Sequence, residues 1–375
     1  MTQEPFEAEG FGRVAEVFRS QLSRGLHFGA QLYVSLRGEP VLDLWGGLCD
    51  RAGRIPVRRD TPFMVFSATK AFTSASIHLL ADQGKIDIDA PVADYWPGFA
   101  SRGKGKITIR HLLLHQAGIP DKTGLGDLAS WLVPGLPARR VAAMAPLHAP
   151  GEKTVYHKAS AGFALGEIIR RASRLGAGDF LRGSFLEPLG MGGSFAGLPF
   201  GAMGRASRIY SGDPRQVSVA RVFSLPPYRR MYLPAASLNT TARDLAVFYE
   251  MLCSGGIRGG RRYLSKEVVA GMTALRYDGP DGDSGNRIRW ASGFGLGGYS
   301  PFPDKDIRHM GRGASERTFG HSGQGGCAFG WADPPSGLVF AFLCNRFLPL
   351  EAAHLRFQEL ADALWSCLPT GKKEV

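Results

Sequence analysis

The segment Ser67-Ala68-Thr69-Lys70 places a hydroxyl and an amine three residues apart, where an apolar run meets a helical pattern. Residues three apart share one face of an α-helix, so these two side chains can meet without help from the rest of the fold. A serine needs an adjacent base to act as a nucleophile at neutral pH. A lysine supplies that base when burial or a neighbouring cation lowers its pKa. The spacing therefore predicts an activated serine nucleophile.

Ser101 and Lys104 repeat the same spacing in a stretch of glycine and basic residues that has no helical periodicity. We interpret this second match as chance. Around the first match, small and apolar residues on several sides predict a buried central helix that ends near Gly84. A simpler interpretation of the first match stays open, in which Ser67 caps the helix and Lys70 extends into solvent.

A tyrosine beside two potential cations is the second candidate for chemistry. Tyr156-His157-Lys158 stands directly before an amphipathic pattern that begins at Ala159. Neighbouring positive charge shifts a phenol towards phenolate, so Tyr156 could serve as both base and acid. The alternative is a tyrosine that only packs at the start of a helix. The role of His157, tuning Tyr156 or facing solvent, and that of Lys158 stay undecided at this stage.

A glycine-rich segment, residues 320–326, opens a predicted strand near the C-terminus. Glycines there let a substrate approach a strand edge closely. A backbone N–H from this edge could pair with that of Ser67 to stabilise an oxyanion. The alternative is an ordinary glycine-rich turn before a hairpin.

Composition indicates a globular protein rather than a nucleic-acid or membrane protein. The 375 residues are 44% hydrophobic and 21% charged, which predicts two closely packed lobes. The net charge of +12 comes mostly from thinly spread arginines, which predicts a basic surface, with a preference for anionic substrates as the alternative. No signal peptide or membrane span is visible, so we expect a cytoplasmic location. The oligomeric state is left open.

Cysteine and histidine spacings predict no metal site. Five cysteines are scattered without metal-ligand or redox spacing, so we expect free thiols. His111 and His115 lack the intervening glutamate of a zinc-protease motif and are expected to be structural.

Hydrophobic patterning predicts strands at both chain ends and a helical middle. The early elements are a helix at 9–23 and strands at 30–36 and 40–45, joined by a hairpin at 37–39. The late elements are strands at 326–332 and 338–345 and a helix at 351–365. This order predicts one α/β lobe from residues 1–90 together with 240–375, and an inserted helical, loop-rich lobe at 91–239. Within the latter, residues 198–235 are expected to form a long irregular loop.

The order and spacing of the candidate segments resemble the serine β-lactamase and penicillin-binding-protein superfamily. Ser67-x-x-Lys70 is followed about ninety residues later by Tyr156, and His321-x-Gly323 precedes a C-terminal hairpin. Three further segments are similar to conserved parts of that family: residues 111–120, 187–191 and 238–245. The resemblance spans residues 20–365 and is closest to the class C-like esterase branch, which is similar to family VIII carboxylesterases.

This resemblance implies an acyl-enzyme mechanism. Ser67 would be the acylated nucleophile, Lys70 its base partner and Tyr156 the group that protonates the leaving group. The backbone N–H groups of Ser67 and Gln324 would form the oxyanion hole, and no metal or organic cofactor is expected. The implied fold is α/β and β-lactamase/transpeptidase-like, with an antiparallel sheet flanked by helices and a mainly helical lobe.

Two departures from the family pattern bear on the substrate. Lys158 stands where these lactamases usually have an asparagine, and His321-Ser322-Gly323 stands where they begin with a lysine. All four residues are expected to contact substrate. A histidine is mostly neutral at pH 7 and binds a carboxylate less well than a lysine does. The departures therefore favour neutral esters over penicillins and peptidoglycan stems.

The resulting hypothesis is a serine hydrolase that cleaves a small carboxylic ester, with no nucleic-acid or membrane partner. Three alternatives stay open: an acyltransferase using the same acyl-enzyme, a β-lactamase or D-aminopeptidase-type amide hydrolase, and a non-catalytic binding protein on this fold. Six aromatic residues are candidates for the pocket walls, with burial in the core as the alternative: Tyr210, Phe223, Tyr228, Tyr232, Trp290 and Phe294.

Overall fold

The structure is a computed structural model that describes residues 4–122 and 124–368. The strands are β1 (Phe6–Glu7), β2 (Gly29–Leu36), β3 (Glu39–Asp50), β4 (Ile55–Pro56), β5 (Phe63–Met64), β6 (Phe195–Ala196), β7 (Tyr210–Ser211), β8 (Leu238–Thr240), β9 (Ile257–Arg258), β10 (Arg261–Arg262), β11 (Tyr277–Pro280), β12 (Arg287–Ala291), β13 (Phe294–Leu296), β14 (Phe319–Ser322), β15 (Ala328–Asp333), β16 (Leu338–Cys344) and β17 (Arg346–Phe347). The helices are α1 (Gly12–Ser23), α2 (Thr69–Asp82), α3 (Val92–Tyr95), α4 (Ile109–Leu113), α5 (Leu125–Trp131), α6 (Leu136–Ala143), α7 (Ser160–Ser173), α8 (Ala177–Leu181), α9 (Phe200–Met203), α10 (Val217–Ser224), α11 (Pro226–Arg230), α12 (Ala242–Cys253), α13 (Lys266–Thr273) and α14 (Leu350–Ser366).

One antiparallel sheet takes its strands from both ends of the chain. This confirms the prediction of strands at both chain ends that assemble together. The strand order of the sheet is β1-β3-β2-β16-β15-β14-β13-β12-β11, with β4 paired to β3. The β2–β3 hairpin turns at Arg37 and Gly38, whose φ values of 54° and 86° are both positive, as a two-residue hairpin turn requires. The pairing β2–β16–β15–β14 places β14, whose end carries the predicted glycine-rich segment, in the interior of the sheet.

Alternating side chains on β15 and β16 separate two hydrophobic cores. Ala328 and Ala332 face the core shared with α2 and α12, whereas Phe329 and Trp331 face α1 and α14. This period-two alternation buries both faces of the sheet and gives three layers, with helices on each side. The fold is therefore the mixed α/β architecture that the sequence predicts.

Helix α2 joins the sheet to the helical region. Phe72 and Ala75 belong to the core beneath the sheet, while Ile77 and Leu80 pack into a separate cluster with α4 and α7. Almost every residue of α2 is buried, as predicted for a central helix, and Gly84 follows its end with φ of 67°. The start of α2 is thus held between two hydrophobic cores.

Residues 198–235 differ from the predicted irregular loop. They contain helices α9, α10 and α11, and Phe223 and Tyr228 from the last two are buried in the main core. Tertiary packing of these aromatic side chains stabilises the short helices. The prolines and glycines of this segment hide the helical periodicity in its sequence. No helix among the described residues is both long enough and apolar enough to cross a lipid bilayer.

Candidate active site

Ser67 lies in a tight 3₁₀ turn, Phe66–Ala68, that leads directly into α2. Its Oγ is 3.2 Å from the Nζ of Lys70, so the predicted pair is brought together. Ala68, not Ser67, occupies the N-cap position of α2, and Lys70 is only 7% exposed. The simpler interpretation, a capping serine and a solvent-exposed lysine, is therefore wrong.

Phe66 holds the backbone that presents Ser67. Its φ of 45° lies in the left-handed region, which is unfavourable for a bulky side chain. The ring packs edge-on against Phe223 and Phe347, each with centroids 5.2 Å away, and this packing fixes the conformation. No local pattern predicts this strained residue, because both of its packing partners are distant in the chain.

The Lys70 amine has three hydrogen-bond acceptors and is shielded from water. Nζ donates to the carbonyl oxygens of Lys158 at 2.8 Å and Ala235 at 3.1 Å, in addition to its contact with Ser67. Burial lowers the pKa of Lys70 to about 7, while the negative charge of Asp121 opposes that change. A substantial share of the neutral amine is therefore present at neutral pH, as a general base requires.

Tyr156 lies beside this pair and is held neutral. Its ring centroid is 5.0 Å from Lys70 Nζ. Burial raises the pKa of Tyr156, opposed in part by its hydrogen bond with Ser67. This differs from the expectation of a phenolate favoured by nearby cations, because desolvation outweighs the effect of charge here. The phenol can therefore donate a proton and pass one on, but it does not rest as an anion.

Two carboxylates that sequence reasoning missed hold the tyrosine segment. Asp281 accepts the backbone N–H of Tyr156 at 2.9 Å, and Asp121 accepts those of Ala159 at 3.0 Å and Ser160 at 2.7 Å. Asp121 thus caps α7 from another part of the chain, at the positive end of the helix dipole. Ala159, at the predicted start of α7, has no side chain that can cap a helix. That absence could have indicated a cap from another part of the chain.

His157 and Lys158 play different parts from each other. The His157 ring turns away from the cleft, with Nδ1 3.3 Å from Nδ1 of His115, and burial lowers the pKa of His157 to about 4. Lys158 is exposed at the cleft, and its carbonyl rather than its amine contacts Lys70. The structure places His157 behind the site and Lys158 on its rim.

The segment His321-Ser322-Gly323 ends β14 and lines the same cleft. His321 Nδ1 donates to the Ser322 carbonyl at 2.8 Å, and Nε2 has no partner among the described residues. Burial, helped by the charge of Lys70, lowers the pKa of His321 to about 3, so the ring is neutral. A Cβ at Gly323 would lie 2.5 Å from the carbonyl of Val65, so only glycine fits this close to the turn that carries Ser67.

Gln324 begins the next 3₁₀ turn, Gln324–Gly326, and lines the cleft. Its side chain donates to Gln216 Oε1 at 2.7 Å. Within residues 4–122 and 124–368, neither the Ser67 nor the Gln324 N–H has a hydrogen-bond acceptor. Both groups line the cleft with donors that an oxyanion could use.

The cleft holds about 630 Å³, ample for a small organic molecule. Of the six aromatic residues predicted to form its walls, only Trp290 lines it. That prediction was wrong for the other five; Phe223, Tyr228 and Phe294, for example, are buried in the core. The aromatic and imidazole side chains that do line the far end are Tyr299, His309, Phe329, His354 and Phe357.

A serine paired with a buried lysine and a tyrosine, on an antiparallel sheet between helices, is the arrangement of a serine hydrolase with the β-lactamase/transpeptidase-like fold. The sequence profile described as Beta-lactamase matches residues 14–364. The chain belongs to the Beta-lactamase family, and it is a serine hydrolase.

The chain is similar to proteins named as esterases and as penicillin-binding-protein homologues. The esterase/beta-lactamase LipL of Mycobacterium tuberculosis is 34% identical over 90% of this chain and 82% of its own length. A penicillin-binding protein homologue from Caulobacter crescentus superposes with a TM-score of 0.83 at 31% identity, covering 98% of this chain and 100% of that one. A family VIII carboxylesterase gives the same TM-score and identity over 97% of this chain and 99% of its own. The predicted resemblance is confirmed.

Proposed function

We propose that this protein hydrolyses a small, neutral carboxylic ester through an acyl-enzyme on Ser67. The observation that carries the proposal is the Ser67 hydroxyl 3.2 Å from an amine whose pKa burial lowers to about 7. That contact supplies the nucleophile and its base at the pH of the cell. The esterase names of its relatives support the choice of an ester over an amide bond.

The first half-reaction transfers the acyl group to the enzyme. Ser67 Oγ attacks the ester carbonyl while the Lys70 amine takes its proton, and the N–H groups of Ser67 and Gln324 stabilise the oxyanion. Collapse of the tetrahedral intermediate breaks the bond to the alcohol oxygen. Tyr156 gives its phenolic proton to that oxygen and recovers one from Lys70, so a neutral alcohol leaves. The acyl group remains bonded to Ser67 Oγ.

The second half-reaction returns the enzyme to its starting state. Water attacks the acyl carbonyl, a proton passes through the same Lys70 and Tyr156 pair to Ser67 Oγ, and a carboxylic acid leaves. An alcohol that takes the place of water would give a new ester. Neutral His321 offers no positive charge to a substrate carboxylate, which supports an uncharged substrate.

The test is rapid-mixing release of nitrophenol from a short-chain p-nitrophenyl ester. Wild type is expected to show a burst or steady turnover, and Ser67→Ala is expected to lower kcat/KM by at least about 10³-fold because the catalytic groups act as a unit. Ser101→Ala, the matched control, should behave as wild type. Equal loss in the two variants, or full activity in Ser67→Ala, would overturn the proposal. Acceleration of product release by added alcohol would indicate acyl transfer.

A further inference from the structure

Helix α14 carries a buried arginine that the mechanism above does not use. Arg356 is 1% exposed and does not line the cleft. Within the described part of the chain, its terminal nitrogens donate four hydrogen bonds, all of them to backbone carbonyl oxygens. An arginine keeps its positive charge in proteins, and burying a charge costs free energy. The cost of this burial points to a role for the backbone that the guanidinium contacts.

Two of the four acceptors belong to the turn Gln324–Gly326, which lines the cleft. Nη2 of the guanidinium donates to the carbonyl of Gly326 at 2.6 Å and to that of Gly325 at 3.3 Å. Nη1 donates to the carbonyls of Leu26 and Arg346, both at 3.1 Å, so the guanidinium is itself anchored outside the turn. The arginine therefore links the turn to two other segments of the chain.

The turn depends on contacts from outside to keep its shape. Gly325 and Gly326 have left-handed φ values of 57° and 71°, and glycine adopts many other conformations just as readily. The Gly325 carbonyl also accepts the N–H of Leu348 at 3.0 Å. A Cβ at Gly326 would lie 2.6 Å from Ala353 Cβ and 2.8 Å from Nη2 of Arg356, so glycine at this position allows the guanidinium to approach the backbone. Donors from elsewhere in the fold thus hold a turn that its own residues leave free.

The first residue of the turn, Gln324, supplies one of the two oxyanion donors in the proposed mechanism. Such a donor has to be in place before the reaction, since a displacement of about 1 Å can cost about 10²-fold in rate. We propose that Arg356 is a positioning residue for the oxyanion hole, which holds the turn from outside the cleft and so fixes the Gln324 N–H. This inference rests on the proposed ester hydrolysis, and it adds a residue that acts through the turn alone.

Two esters that differ only in the carbonyl atom test the proposal. They are p-nitrophenyl acetate and its thiono analogue, in which sulfur replaces the carbonyl oxygen. Sulfur accepts hydrogen bonds weakly, so well-placed oxyanion donors favour the oxygen ester. The kcat/KM of each ester is divided by its rate with hydroxide ion, which removes the difference in intrinsic reactivity. We call the ratio of the two quotients the oxygen preference; it does not depend on the fraction of protein that is folded.

Arg356→Met should lower kcat/KM for the oxygen ester by about 10²-fold and the oxygen preference by at least about tenfold, because the turn is released. Arg356→Lys should lower the preference by a smaller factor, since an ammonium keeps the charge without the planar fork. Arg229→Met is the matched control. Arg229 is also buried, at 3% exposure, but donates to the Ser207 carbonyl and to Asn239 Oδ1, which do not line the cleft. This control should keep the wild-type preference.

An unchanged oxygen preference in a folded Arg356 variant, however far its activity or stability falls, would overturn the positioning role and leave ester hydrolysis intact. An equal fall in Arg229→Met would also overturn it, because the effect would then follow from the loss of any buried arginine. Absence of turnover of both esters by wild type would contradict the proposed function and, with it, this inference.

If neither Arg356 variant folds, ¹⁵N NMR of wild type with labelled arginine decides. The protein is treated with a fluorophosphonate, which leaves a tetrahedral group with an oxyanion-like oxygen on an activated serine. The guanidinium signals of Arg356 should shift when the adduct forms, and those of Arg229 should stay in place. An adduct on Ser67 without a shift at Arg356 would overturn the positioning role. Failure of the reagent to bond to Ser67 would contradict the proposed function and this inference with it.

Discussion

The two Ser-x-x-Lys segments of this chain have the same spacing but different hydrogen-bond partners for their lysines. Lys70 and Lys104 are both buried, and each donates to three oxygen atoms. All three acceptors of Lys104 are backbone carbonyls, whereas one acceptor of Lys70 is the hydroxyl of Ser67. Burial lowers the pKa of both amines. The comparison shows that spacing and burial alone do not bring a serine and a lysine together: Ser67 shares the hydrogen bonds of its lysine, and Ser101 does not.

The backbone path decides which of the two pairs can form. Ser101 and Arg102 leave the helical region, with φ and ψ of −55° and 153° and of 60° and 30°. The Ser101 hydroxyl consequently donates to the carbonyl of Ala142 at 2.7 Å instead of meeting its lysine. At Ser67 the chain runs from a 3₁₀ turn straight into α2, which places the two side chains on one face.

Substitutions of the two lysines are expected to differ most in their effect on kcat/KM. Lys70→Ala removes the base and should lower kcat/KM for a nitrophenyl ester by about 10³-fold. Steady-state kinetics on samples whose folding is verified by circular dichroism would measure it. A loss of less than tenfold would remove Lys70 from the mechanism.

Lys104→Met should affect stability instead of activity. The substitution removes one donor from each of three carbonyls, of which that of Ala142 keeps the Ser101 hydroxyl as another donor, so the free energy of unfolding should fall by about 2–3 kcal/mol. Urea denaturation measures this fall, while kcat/KM should stay within about twofold of wild type. A Lys104→Met protein that is inactive but as stable as wild type would contradict the different roles assigned to the two lysines.

The environment of Lys70 should be visible in the pH profile. Only the neutral amine accepts the serine proton, so kcat/KM of wild type should rise with pH through a value near 7. Asp121 raises the pKa of Lys70, so Asp121→Asn should move this rise to lower pH. Asp283→Asn, a neighbouring cleft carboxylate, should leave its position unchanged. A rise that stays in place or moves to higher pH in Asp121→Asn would contradict this electrostatic account.

Local patterns were sufficient for the elements that carry the site. The β2–β3 hairpin and helix α2 both follow from nearby residues. The identity of Ser67 and Lys70 as a pair follows for the same reason, since their contact spans a single turn. Short-range periodicity and turn chemistry encode such features directly.

Contacts between distant parts of the chain could not be predicted from local sequence patterns. Asp121 caps α7 from 38 residues away, and Asp281 reaches Tyr156 from 125 residues away. The cleft walls likewise come from α14 and from the segment before β14, so residue type alone could not separate lining aromatics from core aromatics. The protonated state of Tyr156 depends on burial, which a tripeptide does not reveal.

The most direct test of the central claim is to locate the covalent bond. Wild-type protein is treated with a fluorophosphonate, which bonds irreversibly to an activated serine, and its peptides are then sequenced by mass spectrometry. We expect a single modification on Ser67, with Ser101 unmodified and no labelling in Ser67→Ala. Labelling on Ser101 or elsewhere, or none while ester turnover continues, would contradict it.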